Sequence, residues 1–314
     1  MAILLNVVLP VFAIILAGFI CGHKGLLGEG SFEGLNKFVY WIALPALLFR
    51  AMAAVDIDAL LNWSFLGAYV GGQALTMIVG GLAGLWLFRN SLSEAAMNSM
   101  NTVYGNTGFL GIPLMLAAFG DAATVPTIIT VVVNSAVVVG AATLFIELGS
   151  NEATSLRQLL RDISAALIKN PMLVAPVAGI AWALIGQPLP LAVDRFCELL
   201  GAAAGPCALF AIGMFLVGKP ISSGAGEVSC AVFIKLIVQP AITWWIAAEL
   251  LQMPPLLTAV AVIMAATPTG AGSFVLAQQY GVYVQRTSSV ILFSTVVSVL
   301  TIFWLLYHFD YLMP

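Results

Sequence analysis

Long apolar runs, separated by short polar or Pro/Gly-rich punctuation, set the pattern of this chain. Ten runs stand out, near residues 3–22, 35–53, 63–88, 95–119, 123–148, 166–186, 196–217, 228–251, 255–279 and 288–309. A helix needs roughly 20 apolar residues to cross the hydrocarbon core of a bilayer. The pattern therefore predicts an all-α membrane protein with ten transmembrane helices. The longest connection, 149–165, carries SLRQLLRDISAAL, with Leu156, Leu159, Leu160 and Ile163 at helical spacing. That spacing suits a short interfacial helix and a solvated linker about equally.

Composition agrees: 61% of residues are hydrophobic, 8% are charged and the mean hydropathy is +1.07. A soluble domain carries about 25% charged residues. Ten spans use almost all of the 314 residues, which leaves no length for a soluble catalytic domain. The net charge of -3 sits on scattered loop residues, and no Lys/Arg cluster offers a nucleic-acid surface. Cys21, Cys197, Cys207 and Cys230 form no CxxC pair and read as small apolar residues. His23 and His308 lie at opposite ends of the chain, so no metal site is expected. The first run lacks a basic leader and a cleavage site, so it reads as a membrane helix and not as a signal peptide.

Loop charge gives an orientation. With both termini outside, the inner connections hold Lys24, Lys37, Arg89, Arg157, Arg161, Lys169, Lys219 and Arg286, and the outer ones hold Arg50 and Arg195. Basic residues favour the inner side, so both termini are placed outside and 149–165 becomes a cytoplasmic linker.

Proline landmarks reveal a repeat. VLPVFAI around Pro10 recurs as VAPVAGI around Pro176, PALLF at Pro45 recurs as PCALF at Pro206, and the Gly/Pro-rich centre at Pro113 recurs at Pro268. The order is kept. Residues 1–148 and 166–314 thus form two halves of five spans each. Five is odd, so the second half enters from the opposite side and the repeat is inverted, an architecture common among secondary transporters.

Spans four and nine are each interrupted at the centre. Gly105, Gly108, Gly111 and Pro113 crowd the first, beside Asn106 and Thr107; Pro268, Gly270 and Gly272 crowd the second, beside Thr267, Thr269 and Ser273. Proline removes a backbone donor and glycine lowers the resistance to unwinding. Paired interruptions in two halves point to a binding site made of crossing broken helices, whose half-helix N-termini suit an anion. The competing reading is a pair of kinked, closely packed helices.

Among other polar residues within spans, Lys235 either offsets an anionic substrate, pairs with a carboxylate such as Glu147, or snorkels to the interface. Asn134, at the middle of span five, is read as lining the cavity or bonding a neighbouring helix. No Asp or Glu lies near a span centre, which weakens a carboxylate proton relay. Proton coupling through Lys235 or the substrate stays open. Sodium coupling needs oxygen ligands, for which the backbone carbonyls and hydroxyls at the breaks are candidates. No Ser/His/Asp, metal-ligand or paired-carboxylate set appears at membrane depth, so an enzyme is not expected.

The runs NTGFLGIPLMLAAFG (Asn106 to Gly120), ATPTGAGSFVLAQQYGV (Ala266 to Val282) and FVYWIALPALLF (Phe38 to Phe49) resemble the auxin efflux carrier family. This family includes plant auxin carriers and bacterial proteins described as malonate transporters, and the resemblance covers essentially all ten spans. It implies a homodimer in the bacterial inner membrane, working by an elevator motion. Spans 1, 2, 6 and 7 would form the scaffold, and spans 3–5 and 8–10 the moving domain. By the same resemblance Asn106 contacts a substrate carboxylate, Pro113 and Pro268 are the crossover prolines, and a span-five polar contact falls near Asn134. The TPTGAG stretch departs from the plant pattern, so a small mono- or dicarboxylate is implied rather than auxin. The leading expectation is an organic-anion carrier; the alternatives are a channel-like facilitator and a carrier-derived sensor.

Overall fold

The computed structural model describes residues 7–55, 62–149, 161, 164–165, 167–218 and 224–312. The apolar residues of the linker motif, Leu156, Leu159, Leu160 and Ile163, lie outside them. Helix α1 spans Leu9–His23; α2 (Ser31–Phe38) continues through a π turn at Val39–Ala43 into α3 (Leu44–Ala53). Then come α4 (Trp63–Leu82), α5 (Leu92–Val103), α6 (Ile112–Phe119), α7 (Thr124–Val133) and α8 (Val139–Gly149). The remainder holds α9 (Pro171–Ala183), α10 (Leu191–Phe215), α11 (Ala225–Phe233), α12 (Gln239–Trp244), α13 (Pro255–Ala265), α14 (Gly272–Tyr280) and α15 (Val284–His308). No strand of more than an isolated bridge occurs among the described residues.

Local chemistry explains many of the boundaries. Asn62 caps α4 by accepting from Phe65 N, Ser91 and Glu94 form a capping box at α5, and Asn170 accepts from Met172 N ahead of Pro171. Such caps satisfy donors that a helix start leaves orphaned. Three of the six π turns among the described residues have a cause as well. Val39–Ala43, Thr107–Gly111 and Ile234–Val238 each precede a proline by two residues: Pro45, Pro113 and Pro240. A proline ring clashes with the carbonyl four residues earlier, and a locally widened turn relieves it.

Five helical runs are long and apolar enough to cross a membrane: Trp63–Leu87, Thr107–Gly149, Leu191–Phe215, Ala225–Leu250 and Val284–His308. The second is 43 residues long, about twice a span, and is interrupted at Gly120, where φ is +61° and ψ is -151°. Leu9–His23, Pro171–Ala183 and Pro255–Ala265 are shorter apolar helices. The surface is inverted relative to a soluble protein. Trp86, Leu199 and Leu300 are more than 70% exposed, whereas Gln73, Asn98, Asn101, Asn134, Lys235 and Gln239 are buried. This is a multi-pass membrane protein. Exposed Trp63 and Trp86, at the two ends of the first long run, suit the aromatic belts at the membrane interfaces.

Two close helix crossings organise one side of the molecule. Helix α1 packs along α10 at Gly18 and Gly213, where a Cβ on Gly213 would meet Ile15 O and lie 2.6 Å from Phe19 N. Helix α3 packs along α9 at Gly179, where a Cβ would lie 2.6 Å from Phe49 O. Small residues let membrane helices approach to backbone contact. α10 also packs against α3 and joins the two pairs.

Candidate functional site

Helix α5 stops at Val103 and α13 stops at Ala265, and the two following segments meet as a short antiparallel bridge, Gly105 opposite Thr269. Asn106 N donates to Pro268 O at 2.7 Å, and Gly270 N donates to Tyr104 O at 2.9 Å. Interrupted backbone at this depth needs such partners, since lipid supplies none. The fit depends on bare backbone: a Cβ on Gly105 would meet Thr267 Oγ1, and one on Gly272 would lie 2.6 Å from the Tyr104 hydroxyl. Side chains hold the bridge from both flanks. Asn134 Nδ2 donates to Gly105 O at 2.9 Å and to Thr107 Oγ1 at 3.1 Å; on the other strand Ser294 Oγ accepts from Thr269 N at 3.0 Å. Thr269 Oγ1 donates to Asn101 O, and Asn101 Nδ2 donates to Thr287 Oγ1.

The bridge has two faces. On one, a cavity of about 680 Å³ is lined by Tyr104, Gly105, Asn106, Thr107, Gly108 and Phe109 from the first segment and by Gly270, Ala271 and Gly272 from the second. The opposite wall comes from Phe32, Asn36, Tyr40 and Trp41, with Met172, Ala211, Ile212 and Phe215. The cavity therefore lies between the α1–α3, α9, α10 group and the remaining helices. The starts of two helical runs, at Thr107 and Gly272, border it, so their unsatisfied N–H ends favour negative charge there. Lys169 is the one charged side chain among its described lining residues; the other polar ones include Asn170, Gln279, Ser135 and Thr295.

The other face is a buried polar chain. Lys235 Nζ donates to Gln239 Oε1 at 2.5 Å and to Ala265 O at 2.6 Å. Gln239 Nε2 donates to Gln73 Oε1 at 2.7 Å and to Val103 O at 3.2 Å, and Gln73 Nε2 donates to Asn134 Oδ1 at 2.9 Å. All four side chains are at most 3% exposed.

These facts sort the residues singled out from sequence. Gly105, Asn106, Thr107, Gly108, Gly270 and Gly272 line the cavity. Thr267, Thr269 and Ser273 are fully buried behind it, Asn134 supports the bridge from the side, and Gly111, Pro113 and Pro268 shape the backbone. Lys235 neither borders the cavity nor reaches the surface, and Glu147 accepts from the Tyr280 hydroxyl. Ser273 Oγ and Asn101 Oδ1 are buried without a hydrogen-bond partner. Among the described residues no three His, Cys, Asp or Glu side chains gather as a metal site would require. Sequence reasoning overlooked Lys169, Gln73, Gln239 and Ser294. The signal for the two glutamines was present, because they are mid-span amides 166 residues apart, the spacing of Pro10 and Pro176.

The family described as "Membrane transport protein" matches residues 3–306. The chain belongs to that family. A "Putative malonate transporter" of Rhizobium meliloti (strain 1021) is 31% identical over 309 residues, covering 98% of this chain and 96% of that protein. "Uncharacterized transporter YfdV" of Escherichia coli (strain K12) is 27% identical over 289 residues, 88% of each chain. A "Probable auxin efflux carrier component 1b" of Oryza sativa subsp. japonica is 27% identical over 148 residues, 45% of this chain and 26% of the plant protein. The membrane transport family, with auxin efflux carriers among its members, is thus the one the three sequence runs resemble. The relatives are named as transporters, not enzymes.

Proposed function

We propose that this family member is a secondary carrier that moves small organic anions, with the substrate held at the bridge between its two interrupted helices. One observation carries the reading: the cavity against the bridge is bordered by two helix starts, Asn106 and a single cation, Lys169, with no acidic side chain among its described lining residues. An anion gains from both helix ends and from the ammonium. Malonate is the first substrate to test, since a relative covered along 96% of its length carries that name.

The carrier reading extends to architecture. We read the chain as ten spans in two inverted halves, with both termini outside and the membrane as the bacterial inner membrane. Its support is that corresponding segments of the two halves meet: the bridge joins Gly105 to Thr269, Asn134 and Ser294 hold its two strands, and Gln73 bonds Gln239. α1 on α10 and α3 on α9 are likewise equivalent pairs under the repeat. α1–α3, α9 and α10 form the scaffold, and the other helices carry the site in an elevator motion. The cavity at their boundary supports this, because sliding one group past the other moves the bridge with its bound anion. With Lys169 and Gln279 on the inner side, the cavity opens to the cytoplasm. Homodimerisation belongs to the same reading.

Counterflow of labelled malonate into proteoliposomes loaded with unlabelled malonate tests the proposal. Saturable accumulation is expected; non-saturating flux would mark a channel-like facilitator instead. Asn106→Ala should weaken malonate binding at least tenfold, about 1.4 kcal/mol, with an unchanged unfolding temperature. Wild-type affinity in that variant would move the substrate away from the bridge. Lys169→Gln should raise the half-saturating malonate concentration severalfold, more so at low salt, as expected of a partly exposed charge.

A further inference from the structure

The buried face of the bridge gathers oxygen atoms. Two helices end there, α5 at Val103 and α13 at Ala265, and a helix C-terminus carries roughly half a negative charge on carbonyls with no intrahelical partner. Val103 O accepts from Gln239 Nε2, and Ala265 O accepts from Lys235 Nζ. Lys235 Nζ is fully buried, and no carboxylate lies within ion-pair distance of it among the described residues. A charge in such a place is costly unless paired and hydrogen-bonded. Its partners here are an amide oxygen and the end of a helix, neutral oxygens of the kind that ligate a hard monovalent cation.

The amides between Lys235 and the bridge all point one way. From Gln239 to Gln73 to Asn134, each carbonyl faces the lysine side and each NH₂ group faces the bridge, ending on Gly105 O and Thr107 Oγ1. Aligned bonds of this sort polarise one another. A positive charge at Lys235 would therefore orient and polarise the chain as far as Thr107, which borders the cavity.

We propose that the Lys235 ammonium is a tethered cation that takes the place of a coupling sodium ion, neutralising the two helix ends and orienting the amide chain that holds the bridge. Lys235 is a positioning residue on this account, and transport proceeds without sodium. The transport arm of the test rests on the carrier reading above; the stability arm does not.

Counterflow of labelled malonate by the wild type should be equal, within twofold, in sodium chloride and in choline chloride. A sodium requirement would overturn the proposal. Lys235→Ala should lose at least tenfold in counterflow. Propylammonium, the fragment that the substitution removes, should restore a substantial part of it, whereas neutral propanol should not. A structural role alone would not give rescue that depends on charge. In detergent, propylammonium should raise the unfolding temperature of Lys235→Ala and leave the wild type unmoved, which needs no substrate. Should Lys235→Ala fail to fold, Lys235→Arg and Lys235→Met decide: the charged variant should retain far more counterflow than the neutral one. Equal loss in both, wild-type transport by Lys235→Met, or a Lys235→Ala defect that propylammonium does not relieve would each overturn the proposal. If the wild type shows no malonate counterflow, the carrier reading fails, and the unfolding measurements still decide the role of Lys235.

Discussion

Replacing Asn134 with leucine is expected to reduce malonate counterflow at least tenfold while leaving most of the protein correctly inserted. Leucine matches asparagine in size but makes none of its three hydrogen bonds. Gly105 O and Thr107 Oγ1 lose a donor, and Gln73 Nε2 loses its acceptor. Each buried group left without a partner costs roughly 1–3 kcal/mol, although hydrogen bonds between membrane helices average nearer 0.6 kcal/mol because alternative partners exist. Global stability should thus fall by about 1–2 kcal/mol, a modest shift in unfolding temperature. The functional loss should be larger, because the groups set free lie on the bridge itself, and Thr107 faces the cavity. Asn134→Asp is the informative companion. It keeps the acceptor for Gln73 but loses the NH₂ that meets Gly105 O. Counterflow of labelled malonate, paired with the unfolding midpoint in detergent, separates the two effects. Equal small losses in both would show that Asn134 only packs.

Gly213→Val should eliminate folded protein. The new Cβ would overlap Ile15 O and approach Phe19 N to 2.6 Å, and both belong to the backbone of α1. No rotamer change relieves a clash with backbone, so α1 and α10 must separate along their whole contact. Overpacking within a core costs about 1–3 kcal/mol even when side chains can yield, and here they cannot. Loss of the monodisperse peak in size-exclusion chromatography of the solubilised protein is the expected outcome. Gly34→Ala is the control: it lies in helix α2, and a Cβ there meets nothing within 4 Å. It should be neutral or stabilising by up to about 1 kcal/mol, the helix-propensity gap between glycine and alanine. A tolerated Gly213→Val would show that the crossing is not held at backbone contact.

The backbone of the candidate site was legible in the chain because unwinding has a strong local signature. Gly105, Gly108, Gly111 and Pro113, set against Pro268, Gly270 and Gly272, mark where two helices stop, since glycine and proline act on the backbone through their own covalent structure. The widened turns ahead of Pro45 and Pro240, at Val39–Ala43 and Ile234–Val238, emerge only from the packed helices. Lys235 shows the limit of such reading. Its position in a span left an offset charge, an ion pair and snorkelling all open, because a helical sequence gives the depth of a residue but not its azimuth. Packing directs it away from the cavity and onto the end of α13. Lys169 was missed for the opposite reason: it counted as one more inner-loop charge, and only the packing of Met172 against Gly108 of the first interrupted segment brings its neighbourhood to the cavity.

The sequence by itself determined the solvent of this protein, the places where its helices break and the family it belongs to. These follow from apolar run length, from residues that forbid or permit backbone shapes, and from order along the chain. Tertiary structure decided which face of each break borders the cavity and which is sealed. That choice depends on how two distant segments meet, at Gly105 and Thr269, and on which side chains of third and fourth helices arrive to satisfy their exposed carbonyls. Hydrogen bonds between residues more than a hundred positions apart leave no periodic trace in either partner's own segment.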